Sequence, residues 1–305
     1  IPGQRFPVEQ RKAEKLLSEL RPSTAIYRGY RLRANRFLAD FPAPLLTSGP
    51  SRKWLIGLQM HKSILFGLEY LVAYAAPRWF QETFPSTNAV ATEHIKLGPI
   101  TSPPLVFVPA SKRTVRDHEF KSVLEHEFVH INQIILGAFP GSPQGDAKDL
   151  TKNLFEAIRA EYEANLIQLV RWPNLYVRSG KKYGLSLDTW SAFRGYTQGL
   201  EHIVHAAAKG QIKEKEFLIF LDQLPAAIPE RFQRMGFNGK LGEYCAKNVK
   251  GHVSVAFENM GQGSNRASGI SSWLDSDLKR SPSSAAERQH LKTGTAVSES
   301  WMRGL

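Results

Sequence analysis

The chain has 305 residues, of which 42% are hydrophobic, and carries a formal charge of +12 with an isoelectric point near 9.7. This composition excludes a wholly disordered chain and allows a sizeable core. The single cysteine, Cys245, excludes an internal disulfide framework and suits a reducing compartment or a protein that needs no disulfides. Such a basic surface would favour an anionic partner, such as nucleic acid, acidic lipid or an acidic protein. The positive charge is spread along the chain, however, and a generally basic solvated surface is the simpler interpretation.

Two helices are predicted near the start of the chain. Residues 8–20 place their apolar side chains on one stripe and are stopped by Pro22. Residues 24–38 form the second helix, which carries four arginines around two tyrosines. Arginines interleaved with aromatic residues can bind a nucleic-acid backbone, but a solvated helix face is the simpler interpretation. With the prolines that follow, residues 1–50 are predicted to be a basic helical extension.

Residues 54–76 are the most apolar stretch and predict one long buried or amphipathic helix ending near Pro77. Four polar residues interrupt the stretch, so it is too polar to span a membrane. Residues 94–97 then alternate, and residues 105–108 are a short apolar run bounded by prolines on both sides. Both segments predict strands, and the flanking prolines place the second one at a sheet edge.

A helix with two distinct faces is predicted between Thr114 and Gly137. Thr114 and Asp117 resemble a capping box at its start, and Gly137 marks its end. Its apolar stripe consists of Leu124, Phe128, Ile131 and Ile135.

The other face of this helix carries the pattern H-E-x-x-H, from His126 to His130. Residues four apart lie on one helix face, so both imidazoles can reach one metal ion. Together with a third protein ligand they can hold a zinc ion that keeps one position open for water. Glu127 is then placed to take a proton from that water. The alternative is an amphipathic helix with two incidental histidines.

Further helices are predicted at residues 150–170, 187–208, 213–224 and 228–235. Residues 138–149 form a loop long enough to be a rim or lid.

The helix at 150–170 offers Glu156, Glu161 and Glu163 as a third ligand. Glu161 is favoured because Asn165, one turn later, can accept a hydrogen bond from the outer N–H of a ligating histidine. The other two acids stay open as alternatives.

These two helices resemble the gluzincin class of zinc metallopeptidases, in which H-E-x-x-H is followed by a helix carrying E-x-x-x-D. The closest similarity is to the branch that reads E-x-E-A-D, which residues 161–165 match except that Asn165 replaces the aspartate. The resemblance covers residues 114–170. It implies that His126, His130 and Glu161 bind one zinc ion, that Glu127 is the general base, and that Asn165 supports a zinc-ligating histidine.

The predicted fold is therefore a mainly helical α+β protein, with a zincin-like metallopeptidase domain at residues 51–258 and a small edge sheet over the active-site helix. Residues 259–305, rich in serine and glycine, predict a flexible tail. The predicted function is that of a zinc-dependent endopeptidase in which a zinc-bound water attacks a peptide carbonyl. An extended substrate could pair with the strand at 105–108.

Five residues are candidates for stabilising the oxyanion of such a reaction: Tyr162, Tyr183, Tyr196, His202 and His205. The two histidines could also form a second metal pair, although a polar turn on a helix packed by Leu200, Ile203 and Val204 is the simpler interpretation.

The expected partner is a protein or peptide substrate with acidic character, and nucleic acid is the less favoured partner. No membrane span is predicted. The single cysteine suits a protease acting in the cytoplasm, including one delivered there as a toxin or effector. Two alternatives remain: a basic nucleic-acid-binding protein with a fortuitous H-E-x-x-H, and an inactive metallopeptidase-like scaffold.

Overall fold

The computed structural model describes residues 6–40, 54–84, 87–97, 100–112, 118–141, 143–208 and 210–223. Its contacts define two compact units, one of residues 1–140, 156–182 and 186–196, the other of residues 141–155, 183–185 and 197–305. The described part is mainly helical with a small mixed sheet, which is consistent with the predicted α+β class. None of its helices is long and apolar enough to cross a membrane.

Several predictions fall outside the described residues. They concern the capping box at Thr114 and Asp117, the helix at 228–235, Cys245 and the tail at 259–305.

The first unit begins with helices α1 (Pro7–Glu19) and α2 (Thr24–Asp40), both close to their predicted positions. Tyr30, Ala34 and Phe37 recur at helical spacing on α2 and are buried in the core that includes the sheet. The arginines of α2 lie on its exposed face. One of them, Arg31, forms an ion pair with Glu69 at 3.0 Å.

Residues 54–76 form a β-hairpin, so the prediction of one long helix is wrong. Strands β1 (Leu55–Lys62) and β2 (Glu69–Ala75) pair antiparallel, and Gly67 adopts a left-handed φ of 67° in the turn between them. All of β2 after Glu69 is buried. A strand buried on both faces reads as an unbroken apolar run, which periodicity does not separate from a buried helix. A short helix, α3 (Pro77–Thr83), follows.

The remaining strands are β3 (Val90–Thr92), β4 (Lys96–Leu97), β5 (Ile100–Thr101) and β6 (Leu105–Pro109). The main sheet has the order β1-β2-β6-β3, with β6 parallel to β2 and antiparallel to β3. Strand β6 is therefore internal, and the prediction that it lies at an edge is wrong. Its prolines lie before the strand and at its last residue, so they interrupt no hydrogen bonds in its middle. The edge next to β6 is β3.

Helix α4 (His118–Ile135) packs against β3 and β6. Leu124, Phe128 and Ile131 are buried in the core, as predicted, and Phe128 stacks on Tyr70 of β2 with ring centroids 4.8 Å apart. The helix ends as predicted before Gly137, which has a left-handed φ of 68°.

Helix α4 also anchors the turn of the β-hairpin. The buried carboxylate of Glu125 accepts hydrogen bonds from the Ser63 hydroxyl at 2.6 Å and from the main-chain N–H groups of Ile64 and Leu65 at 2.6 and 3.2 Å. This contact joins segments about sixty residues apart and helps to define the hairpin.

Three further helices belong wholly or partly to the first unit: α5 (Ala147–Arg171), α6 (Pro173–Ser179) and α7 (Leu187–Ala208). The second unit contains the end of α7 and helix α8 (Glu214–Gln223). Within it Leu200, Ile203 and Val204 are buried, as predicted. The predictions of helices at 150–170, 187–208 and 213–224 are confirmed over the described residues.

Candidate metal centre

Helix α4 places both histidines of the H-E-x-x-H motif on one buried face. His126 and His130 are 6% and 3% exposed, and their ring centroids are 4.7 Å apart. Because this face is distinct from the stripe that contains Phe128, the helix contacts the core with one side and presents its imidazoles with the other.

Glu161 on α5 completes a compact group of three donor atoms. Its Oε2 lies 3.2 Å from His126 Nε2 and 3.3 Å from His130 Nε2, and the two Nε2 atoms are 3.1 Å apart. Among the described residues this is the group of histidine and acidic side chains that could hold a metal ion. The side chain of Glu161 is 17% exposed, so the group is open to solvent on its side.

The spacing of these atoms fits a small divalent cation. In a tetrahedral zinc site with bonds of about 2.0–2.1 Å, neighbouring donor atoms lie roughly 3.3 Å apart. The three distances in the group are close to that value, so a point exists from which all three atoms are within bonding distance. Three protein donors also leave the fourth tetrahedral position open.

The electrostatics of the group favour a cation. Burial lowers the pKa of His126, and the positive charge of Arg194 acts in the same direction. Burial would also lower the pKa of His130, but the charge and hydrogen bond of Glu161 outweigh it and raise the pKa to about 9. Burial would raise the pKa of Glu161, but His130 and His126 hold it well below its usual range. Glu161 is therefore ionised and attracts positive charge.

Glu127 lies beside this group and is anchored from the sheet. Its carboxylate Oε2 accepts a hydrogen bond from the main-chain N–H of Ala91 in β3 at 2.7 Å. Burial raises its pKa to about 7, although the charge of His130 opposes the shift. A carboxyl group with a pKa near neutrality can take up and release a proton under ordinary conditions.

Glu163, the rival third ligand, lies elsewhere. Its Oε2 accepts a hydrogen bond at 2.8 Å from the side-chain amide of Gln133, whose Oε1 lies 2.7 Å from His130 Nδ1. Glu156 is also not part of the three-residue group. Of the three acids that the sequence leaves open, Glu161 is the one brought to both histidines.

Asn165 does not make the contact expected of it. Its amide nitrogen donates to the main-chain oxygen of Glu161 at 2.7 Å, and Nδ1 of His126 is buried with no hydrogen-bond partner in the described part of the chain. The residue that contacts an outer histidine nitrogen is Gln133, and the histidine is His130. A signal for it was present, because Gln133 lies three residues after His130, on the same side of the helix.

The candidate oxyanion donors lie in different parts of the chain. The hydroxyl of Tyr162 donates to Asp188 at 2.6 Å, and burial together with this contact raises its pKa. Tyr183 and His202 belong to the second unit, and the side chain of His205 lies outside the described residues. Tyr196 lies on α7, within the first unit.

Arg194 on α7 is a group near the metal centre that the sequence did not suggest, since its charge acts on the pKa of His126. Arg194 is brought towards the metal centre by the packing of α7 on α5, because the backbone of the next residue, Gly195, lies against the backbone of Ile158 and Tyr162. The hydrophobic periodicity of α7 does not predict that Arg194 lies near His126.

Comparison of the chain with protein-family models, with curated proteins and with solved structures found no match. The description of the site therefore rests on its geometry. Two buried histidines four residues apart and a carboxylate from a second helix together could hold a metal ion, and a further glutamate lies on the same helix as the histidines.

Proposed function

We propose that this protein is a zinc-dependent endopeptidase of the gluzincin type. The observation that carries the proposal is the triangle of His126 Nε2, His130 Nε2 and Glu161 Oε2, with sides of 3.1–3.3 Å, beside the buried carboxylate of Glu127. Two histidines one helical turn apart could occur by chance. A carboxylate from a distant segment that lies at tetrahedral spacing from both of them is not explained by the helix alone.

The donor set favours zinc over other common ions. Two imidazoles and one carboxylate suit zinc, whereas magnesium and calcium prefer sites made of oxygen ligands. A zinc ion held here would polarise a carbonyl group and make water acidic enough to lose a proton near neutral pH.

Glu127 is proposed to accept that proton and pass it to the departing amine. Its raised pKa of about 7 matches both tasks. The hydrogen bond from Ala91 leaves Oε1 as the oxygen not engaged by β3.

A peptide substrate is supported by the position of β3. In an antiparallel strand, the N–H groups of successive residues point to opposite sides. The N–H of Ala91 points to Glu127, whereas β6 pairs with the other side of β3. The outer edge of β3 thus faces the proposed base. The Ala91 N–H at this edge is already engaged by Glu127, so an extended peptide would lie alongside the edge, with its scissile bond towards the base. The strand proposed to bind the substrate is therefore β3, whereas the sequence had suggested β6.

Zinc analysis and a fragment comparison test the proposal together. The protein should retain about one zinc ion after exposure to excess metal and desalting. Lysate treated with the parent should contain peptide fragments absent from lysate treated with Glu127→Gln. A protein that retains no zinc but binds nucleic acid with a steep salt dependence would support the nucleic-acid-binding alternative. Stoichiometric zinc with identical fragments from both proteins would support the inactive scaffold.

A further inference from the structure

A buried amide links the two helices that carry the proposed metal ligands. Gln133 on α4 is fully buried, and its side chain contacts His130 on its own helix and two groups on α5. The inference drawn from it rests on the proposed metal centre, but it can be tested separately.

The nitrogen end of the amide must face α5. Gln133 Nε2 donates to the main-chain oxygen of Ala160 at 3.1 Å and to Glu163 Oε2 at 2.8 Å. A main-chain carbonyl can only accept a hydrogen bond, so the amide cannot be reversed without placing two oxygens against each other. The oxygen end is thereby directed to His130.

This orientation determines which nitrogen of the neutral His130 ring carries the proton. Gln133 Oε1 lies 2.7 Å from His130 Nδ1, and because an amide oxygen only accepts, Nδ1 must be the donor. The nitrogen left to offer a lone pair is Nε2, which lies 3.3 Å from Glu161 Oε2 and 3.1 Å from His126 Nε2. The amide therefore selects the form of His130 that can ligate a cation.

The same amide aligns the third ligand. Ala160 and Glu163, which accept its hydrogen bonds, lie on either side of Glu161 in the sequence of α5. By contrast, Nδ1 of His126 has no partner among the described residues, so no comparable contact orients that ring. The two histidines are thus supported unequally.

We propose that Gln133 is a positioning residue, which holds His130 in its Nδ1-protonated form and aligns the Glu161 turn of α5 with α4, so that the three donor atoms are arranged for a divalent cation before it binds.

Gln133→Met tests this role, with Gln168→Met as its matched control. Gln168 is a buried glutamine on α5, and its amide donates to the hydroxyl of Ser122 on α4 at 3.3 Å. Gln168→Met therefore also removes a buried amide between the same two helices, but one whose hydrogen bond is to Ser122 and not to a proposed metal ligand. Zinc affinity is measured by chelator competition. We expect Gln133→Met to bind zinc about 10–100-fold more weakly than the parent and Gln168→Met to bind it like the parent.

A second measurement does not depend on zinc. In metal-free protein, the Nδ1 proton of His130 should exchange slowly with solvent in the parent and in Gln168→Met, and rapidly in Gln133→Met, as followed by nitrogen-edited NMR. The nitrogen shifts of the neutral ring in the parent also report which nitrogen carries the proton, and we expect it to be Nδ1. This measurement on the parent needs no variant, so it serves if Gln133→Met does not fold.

The proposal is overturned if Gln133→Met keeps parental zinc affinity and a protected Nδ1 proton, or if the neutral ring of His130 in the parent carries its proton on Nε2. If the parent itself binds no zinc, the proposed function fails, while the proton measurement still decides whether Gln133 fixes His130.

Discussion

The main-chain N–H of Ala91 donates a 2.7 Å hydrogen bond to the carboxylate of Glu127. This contact joins the edge strand of the sheet to the helix that carries both histidines. The proposed base and the proposed substrate edge are thereby held together, and a substitution at Glu127 affects the sheet as well as any chemistry.

Two substitutions of Glu127 should separate its structural role from its catalytic one. Glu127→Gln keeps an oxygen that can accept the Ala91 N–H, so we expect its free energy of unfolding to remain within about 1 kcal/mol of the parent. Glu127→Ala removes the acceptor and should lower the free energy of unfolding by about 1–3 kcal/mol. Urea denaturation measures both, and equal stabilities would show that the Ala91 contact contributes little.

Glu161→Gln and Glu163→Gln should differ in zinc binding. Glu161 supplies a donor atom of the group, whereas Glu163 accepts a hydrogen bond from Gln133. We therefore expect Glu161→Gln to lose stoichiometric zinc, and Glu163→Gln to retain it because its amide oxygen can still accept from Gln133. Zinc content after desalting measures this difference. Loss of metal from the Glu163 variant alone would refute the assignment of Glu161.

Zinc affinity should increase with pH up to about 9. Burial lowers the pKa of His130, but Glu161 raises it to about 9, so below that pH a cation must displace a proton from His130. The apparent affinity should therefore fall roughly tenfold for each pH unit below about 9 and level off above it. Glu161 adds no proton in this range, because its pKa is held low.

This pH dependence is measured by chelator competition in the parent, because the charge of Glu127 contributes to the raised pKa of His130. An affinity that does not change between about pH 7 and pH 9 would contradict the proposed displacement.

Gly195→Ala and Gly29→Ala should have opposite effects on stability. A Cβ at Gly195 would lie 2.8 Å from Ile158 O and Tyr162 N in the α5 backbone, next to Glu161, whereas a Cβ at Gly29 meets nothing within 4 Å. We expect Gly195→Ala to lower the free energy of unfolding by about 1–3 kcal/mol and to weaken zinc binding. Gly29→Ala should raise the free energy of unfolding by about 0.4–1 kcal/mol and leave zinc binding unchanged. Denaturation and chelator competition measure both effects, and a stable Gly195→Ala variant with parental zinc affinity would contradict the close packing.

The amino-acid sequence by itself determined the features that depend on neighbours within one or two helical turns. The pairing of His126 with His130, the position of Glu127 between them and the end of α4 at Gly137 follow from helix geometry and glycine conformation. The periodic helices α1, α2, α5 and α7 were predicted for the same reason.

Only the tertiary structure decided the features that depend on distant segments. The hairpin at 55–75 owes its turn to hydrogen bonds from the turn to Glu125, and β6 became internal because β3 pairs with its other side. The choice of Glu161 over Glu163, and of Gln133 over Asn165, depends on how α5 is rotated and shifted against α4. Local periodicity defines which residues share a face, but packing between elements determines which side chain on that face reaches a given atom.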